Sequence, residues 1–245
     1  MNTSNLLIII PARGGSKGLP GKNTKILGSY PLLKWTTDAI ALSGVKDYQC
    51  VLSTDDQEIA AIGDGLGLEI PFIRPTELAT DISSGIDVVN HAIEWFENER
   101  NFFAEYVIVL QPTSPFRPPH IIHEAYSLLQ EGTTDAVTGV KLIHRNLRTL
   151  FRTDKLHNLT PVDKEAELIT RRQEVPTLYT PNGAMYGINV ASLKKHKTFF
   201  PQSTKPIIMD QVQSHDIDNP LDWDIATAYV NAGLTWRSDK AGAPV

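Results

Sequence analysis

Leu6-Leu7-Ile8-Ile9-Ile10 runs without a break into Pro11-Ala12-Arg13-Gly14-Gly15-Ser16-Lys17-Gly18-Leu19-Pro20-Gly21-Lys22-Asn23. Five consecutive aliphatic residues with no polar alternation read as a strand buried on both faces, as in a parallel sheet covered by helices. Four glycines then let backbone N–H groups approach a ligand closely. Arg13, Lys17, Lys22 and Lys25 place four positive charges around those glycines without one acid. A basic glycine loop at the carboxyl end of a parallel strand is where α/β sheets bind phosphates. It is not a Walker A loop, since the Gly-x4-Gly-Lys-Ser/Thr template meets Ser16 at its first position and Asn23 at its last, and it contains no Gly-x-Gly-x-x-Gly.

Outward from this loop, short apolar runs alternate with stretches of helical period. Cys50–Ser53, Ile70–Ile73, Tyr106–Leu110, Asp135–Val140, Met185–Ile188 and Pro206–Met209 read as further strands. Ile86, Val89, Ile93 and Phe96 share one helical face, as do Ile121, Ile122, Ala125, Leu128 and Leu129 after Pro118-Pro119. Asn219-Pro220 is an N-cap and an N1 proline, opening a helix through about Ala232. The alternation predicts an α/β fold: three layers around a mostly parallel sheet. One segment departs from it. Residues 141–174 mix eight Lys and Arg with five Asp and Glu and have too few apolar residues to close a core. That composition fits a surface insertion and an arm docked on another subunit equally.

Composition excludes several classes. With 245 residues the chain is long enough to fold without staples, and 41% hydrophobic with 21% charged residues rules out a disordered or fibrous chain. Cys50, the lone cysteine, excludes an internal disulfide framework and a multi-cysteine zinc site. A net charge of −5 argues against a general nucleic-acid partner. No apolar run is long enough to span a bilayer, and residues 6–10 follow no Lys or Arg, which argues against a signal peptide; a cytoplasmic location without membrane partners is expected.

A second polar site is Ser214-His215-Asp216-Ile217-Asp218. In extended backbone residues i and i+2 share a face, so Asp216 and Asp218 point together with Ile217 behind them. Two adjacent carboxylates repel unless a cation lies between them. Mg²⁺, held by one or two carboxylates plus substrate phosphates, is the usual answer. The alternative is a plain N-terminal region for the helix at Pro220. Together the basic loop and the aspartate pair point to metal-assisted nucleotidyl transfer. Gln111 to Arg117 follows a buried strand and reads equally as a turn or a ligand contact. His120 and His123 share a helix face without a third ligand. There is no Gly-x-Ser-x-Gly elbow and Cys50 reads as core, so the attacking group must come from the substrate.

The loop resembles the nucleotide-binding signature of CMP-sialic acid synthetases, the acylneuraminate cytidylyltransferases. Arg74-Pro75-Thr76-Glu77-Leu78-Ala79, Leu110-Gln111-Pro112-Thr113-Ser114-Pro115, Arg171-Arg172-Gln173, Pro181-Asn182-Gly183-Ala184-Met185-Tyr186 and Asp216-Ile217-Asp218 follow in that family's order, over roughly residues 6–232. The resemblance implies a single Rossmann-like nucleotidyltransferase domain over 1–245 with a dimerisation arm at 141–181. It implies transfer of CMP from CTP to the anomeric hydroxyl of a nonulosonic acid, releasing pyrophosphate, with Mg²⁺ on Asp216 and Asp218. Arg13, Gly14, Gly15, Ser16, Lys17, Lys22 and Asn23 would hold the nucleotide, with Arg74 by the cytosine and Ser84 by the ribose, where Gly85 replaces the expected serine. Arg13 and Lys22 would share in catalysis with the aspartates. Gln111, Arg172, Asn182 and Tyr186 would line the sugar pocket, with Phe199 and Phe200 near an acyl group. The family's homodimer exchanges its arm, so Arg172 would reach the neighbouring site. Thr180 stands where users of N-acetylneuraminate often have Arg, which points toward a related sugar such as legionaminate or pseudaminate. The competing functions are CMP-3-deoxy-octulosonate synthesis, an Asp-x-Asp glycosyltransferase, and a nucleotide sensor.

Overall fold

The computed structural model describes residues 5–80, 83–143, 145, 147–163 and 176–237. In chain order these form β1 (Leu6–Pro11), β2 (Ile26–Leu27), β3 (Tyr30–Pro31), α1 (Leu32–Ala41), β4 (Tyr48–Ser53), α2 (Gln57–Gly65), α3 (Gly85–Arg100), β5 (Tyr106–Leu110), α4 (His120–Gln130), β6 (Ala136–Ile143), β7 (Phe151–Thr153), β8 (Leu159–Pro161), β9 (Leu178–Asn189), α5 (Val190–His196), β10 (Thr204–Met209) and α6 (Pro220–Asn231). Six strands make the main sheet in the order β10-β6-β9-β5-β1-β4. Only β9 is antiparallel to its neighbours in it.

The unbroken aliphatic run of β1 is explained by its two covered faces. Leu6, Ile8 and Ile10 pack with Leu33 and Ile40 of α1, Ile59 of α2 and Ile121 and Ile122 of α4. Leu7 and Ile9 face the other way, onto Val89, Ile93 and Phe96 of α3 and Leu193 of α5. All five are fully buried, and each contributes roughly 1.5–3 kcal/mol relative to exposure. This is the expected three-layer, mostly parallel architecture. A third cluster joins Leu19 of the glycine loop and Leu27 of β2 to Trp35, Phe116, Ile217 and Trp223. It welds the loop to the segment carrying the aspartates.

Two strand expectations change. Ile70–Ile73 forms no strand; only Glu69 makes an isolated bridge, to Val51. Pro71 removes the next amide donor and Pro75 fixes the chain again, so the ladder cannot continue. Conversely, β9 is far longer than Met185–Ile188. Between the pairs Thr138↔Tyr186 and Val140↔Pro181, β6 advances two residues while β9 advances five. Residues 182–185 therefore bulge opposite Gly139, which absorbs Pro181 and the left-handed Gly183 (φ +79) inside a central strand. Gly139 is required there, because a Cβ would lie 2.7 Å from Asn182 Oδ1.

Strands β7 and β8 form a separate antiparallel pair. Leu150, Phe151, Leu156, Leu159 and Val162 on and around it are exposed. Arg172, expected to serve a neighbouring site, and Arg171 with the rest of the 164–175 stretch lie outside the described residues.

Candidate active site

Parallel strands β1, β4 and β5 end on one edge of the sheet, and the chain leaving β10 returns to the same edge. A cleft of about 420 Å³ opens there, walled by Arg13, Lys22, Asn23, Arg74, Gln111, Tyr186, Phe199, Asp216 and Asp218, with Val88, Val89 and Val109 also in its lining. Residues from five separate regions of the sequence thus meet where open α/β sheets place their ligands.

The glycine loop is shaped by what its glycines touch. A Cβ on Gly18 would lie 2.1 Å from the Asp218 carbonyl oxygen, and one on Gly14 would lie 2.3 Å from Asp56 Oδ2. Gly14 N–H donates to Asp55 Oδ1 at 3.1 Å, and Asn23 Nδ2 donates to the Arg13 carbonyl at 3.1 Å, which holds the loop closed on itself. Lys22 Nζ donates to the Ile217 carbonyl at 2.9 Å and to Asp218 Oδ1 at 3.0 Å. The loop's four cations do not all stay together, for Lys25 stacks over Trp223 at 4.7 Å. Gly14, Gly15, Ser16 and Lys17 are not among the cleft walls.

The aspartate segment takes the expected form. Ile217 is fully buried, and its N–H donates to the Thr113 carbonyl at 2.9 Å. Asp218 is open to solvent, with a side chain 71% exposed. Asp216 is recessed. Burial raises its carboxyl above the ordinary range, the Thr113 hydrogen bond and Lys22 oppose that rise, and the Asp218 charge adds to it. Asp216 Oδ1 is buried without a hydrogen-bond partner, an acceptor aimed at something absent from the chain itself. Asp222 accepts the N–H groups of Asp218 (2.9 Å) and Asn219 (3.0 Å), anchoring the segment on the capping box of α6. Among the described residues no group of three or more His, Cys, Asp or Glu could hold an ion alone. The carboxylate pair matches a cation whose remaining ligands come from substrate.

Arg74 is 5% exposed, lines the cleft, and has Nε and Nη2 without hydrogen-bond partners. Burial disfavours its charge, and Asp55, 3.5 Å from Nη2, partly restores it. Across the cleft Tyr186 stacks on Phe199 (5.2 Å) and meets Phe200 edge-on (5.9 Å). Asn182 is turned inward: its Nδ2 donates to Ser214 Oγ at 2.9 Å and contacts Met209 Sδ at 3.1 Å, and its Oδ1 accepts the Ala184 N–H. It braces the bulge and the approach to Asp216 and does not line the cleft. Ser84 caps α3 by accepting the Ile86 N–H, while its neighbours Ser83 and Gly85 reach the cleft wall. Thr180 pairs with Lys141 in the sheet and is also absent from that wall.

One residue was not singled out by sequence reasoning. Arg117, 1% exposed, donates to the carbonyls of Ala184 (2.6 Å) and Gln111 (3.3 Å) and to Thr36 Oγ1 (3.1 Å). It fastens the turn bearing Gln111 and Thr113 to the β9 bulge. An arginine closing a proline-rich turn, with no acid nearby in sequence, was its only signal. Cys50 is partly buried and packs against the core, with burial pushing its thiol up to about 12.

A cytidylyltransferase family model matches residues 7–229. The CMP-N,N'-diacetyllegionaminic acid synthase of Legionella pneumophila is 35% identical over 219 residues, 89% of this chain and 93% of that protein. The N-acylneuraminate cytidylyltransferase of Escherichia coli O18:K1:H7 is 33% identical over 91% of this chain, which spans about half (51%) of that relative's length. The solved structure of CMP:2-keto-3-deoxy-manno-octonic acid synthetase complexed with CTP aligns with a TM-score of 0.67 at 16% identity, over 94% of this chain and 99% of that one. At that identity the likeness concerns the fold.

Proposed function

The chain belongs to the cytidylyltransferase family, and from that premise we propose that it transfers CMP from CTP to the anomeric hydroxyl of a nonulosonic acid. The convergence of Lys22 with Asp218 carries this reading, because it brings the basic loop and the carboxylate pair to one cleft. The sugar oxygen attacks the α-phosphorus, the bond to the β-phosphate breaks, and pyrophosphate leaves. Arg13, Lys22 and the loop's N–H groups hold the triphosphate by charge-assisted hydrogen bonds. Lys22 already sits beside Asp218, so it carries positive charge close to the carboxylates.

The partnerless Oδ1 of Asp216 suits acceptance of the sugar's hydroxyl proton. Asp216 and Asp218 would also hold Mg²⁺, which, when bound, draws charge from the phosphates and makes a nearby hydroxyl more acidic. Gln111 and Tyr186 face the acceptor side, with Phe199 offering apolar surface to an acyl group.

The legionaminic relative, matched along nearly its whole length, supports a nonulosonic acceptor. The 3-deoxy-octulosonate alternative has the weaker support of a fold neighbour. The exposed apolar side chains about β7 and β8 suit burial against a second copy, giving a homodimer in which Arg172 serves the neighbouring cleft. No helix among the described residues is long and apolar enough to cross a membrane, and a cytoplasmic site of action accords with CTP as substrate.

Pyrophosphate release from CTP and Mg²⁺ tests the reading, with N-acetylneuraminate, legionaminate, pseudaminate and 3-deoxy-octulosonate offered separately. Release with one of the first three is expected. Release with 3-deoxy-octulosonate alone reassigns the acceptor, and silence with all four refutes the activity.

A further inference from the structure

Asp55 does not line the cleft, yet a single atom of it meets both the Arg74 guanidinium in the cleft wall and the Gly14 amide behind it. Its Oδ1 accepts the Gly14 N–H at 3.1 Å and lies 3.5 Å from Arg74 Nη2. Gly14 begins the loop assigned to the triphosphate. Arg74 is the buried cation of the opposite wall; its Nε has no protein hydrogen-bond partner, and its Nη2 faces Asp55 as an ion pair. The backbone secures this arrangement, because Arg74 N–H donates to the Thr54 carbonyl at 2.7 Å, immediately before Asp55. Asp56 caps α2 through its own side chain, with Oδ1 accepting the N–H groups of Glu58 and Ile59, so Asp55 is presented from a fixed turn.

A guanidinium is a planar fork whose value lies in its orientation. Aimed correctly, Arg74 can donate to the two adjacent acceptors of a cytosine edge, N3 and O2. Uracil carries a proton at N3 and meets that donor with another donor. Sites built on such hydrogen bonds reject the mismatched analogue because buried polar groups are left unpaired. The plane of Arg74 is set on one side by Asp55, while no protein acceptor constrains Nε.

We propose that Asp55 is a positioning residue for base selection: it locks the Arg74 guanidinium in the plane that reads cytosine and ties that plane to the Gly14 amide of the phosphate loop. This rests on the CTP reading above. The residue acts through Arg74 and touches no substrate itself.

The test is calorimetric titration of CTP and of UTP into wild type, Asp55→Asn, Arg74→Met and the double variant, with thermal unfolding recorded alongside. Asp55→Asn keeps an oxygen for the Gly14 N–H and removes the charge facing Arg74. CTP affinity is expected to fall about tenfold, UTP affinity to hold within about twofold, and the preference between them to shrink accordingly. In the Arg74→Met background Asp55→Asn should cost nothing further in CTP affinity, as expected when two residues act as one unit. An Asp55→Asn protein that is folded and keeps its full CTP-over-UTP preference overturns the proposal. So does an undiminished loss in the Arg74→Met background; where Asp55→Asn does not fold, an Arg74→Met protein that keeps the full CTP-over-UTP preference overturns the proposal instead. A wild type that binds CTP and UTP equally removes the premise, and the proposal falls with it. That outcome is read from the first two titrations alone and is distinct from the other two.

Discussion

Gly18→Ala isolates the junction between the two halves of the cleft. The added Cβ would lie 2.1 Å from the Asp218 carbonyl oxygen and 3.2 Å from its carbon. Both are backbone atoms, so no rotamer change relieves the contact. Restoring even 3.0 Å forces the loop and the aspartate segment apart by close to 1 Å, which stretches the Lys22 contacts to Ile217 and Asp218. Overpacking of this kind costs about 1–3 kcal/mol, or a Tm lower by about 2–12 °C at this chain length. Displacement of reacting groups by ~1 Å can cost about 10²-fold in rate. Steady-state pyrophosphate release at saturating CTP and sugar, paired with thermal unfolding, therefore sees a large loss of turnover in a protein that remains folded. Gly65→Ala is the control, since nothing lies within 4 Å of its Cβ and it sits at the far end of α2. Gly18→Ala turnover within twofold of wild type would refute the coupling of loop and carboxylates.

Asp218→Ala should lower turnover with Mg²⁺ by at least ~10²-fold through loss of a fixed charge at the reacting phosphate; unchanged turnover withdraws its assignment. Lys22→Ala is expected to raise the KM for CTP well beyond any rise for the sugar, and equal changes would move Lys22 off the triphosphate. Arg117→Met leaves the Ala184 carbonyl without its side-chain donor, while the Gln111 carbonyl keeps the Ser114 N–H, so the urea midpoint should report a loss of at least ~1 kcal/mol, and a loss under ~0.5 kcal/mol would show that the Ala184 carbonyl finds another partner. Cys50, its thiol raised to about 12, is almost wholly protonated at pH 8, the thiolate appearing only as pH rises toward that value. Iodoacetamide should leave it untouched in native protein and label it in urea; rapid native labelling would contradict its burial.

The strand β1 and the helices α3, α4 and α6 were legible because burial on two faces, helical period and a capping pair each leave a local mark. The length and direction of β9 were not. Pro181 and Gly183 look like the end of a strand, and only the bulge opposite Gly139 makes them part of one. Ile70–Ile73 failed for the opposite reason, since apolar side chains there pack against the core without a backbone ladder. At the site, the glycine loop and aspartate pair announced themselves by charge in an acidic chain. Asn182 did not reveal that its amide is consumed internally, Asp55 carries no signature because its partners lie far off in sequence, and Arg117 carries only the weak one of closing a proline-rich turn, since its partners are mostly backbone carbonyls.

The antiparallel β9 separates the sheet into two territories. On the proposed reading, β1, β4 and their loops serve the nucleotide, while β9 and the segment at Phe199 serve the acceptor. Between them β5 pairs with both β1 and β9, and the turn after β5 and the segment after β10 bring the two to the cleft. The cleft-facing side chain of β9, Tyr186, and its neighbour Phe199 could therefore be exchanged without disturbing the CTP cradle, giving catalysts for new sugars from one unchanged nucleotide half. The fold would then behave as a socket with a replaceable plug, and recombination at β9 is where libraries for unnatural CMP-sugars should be cut.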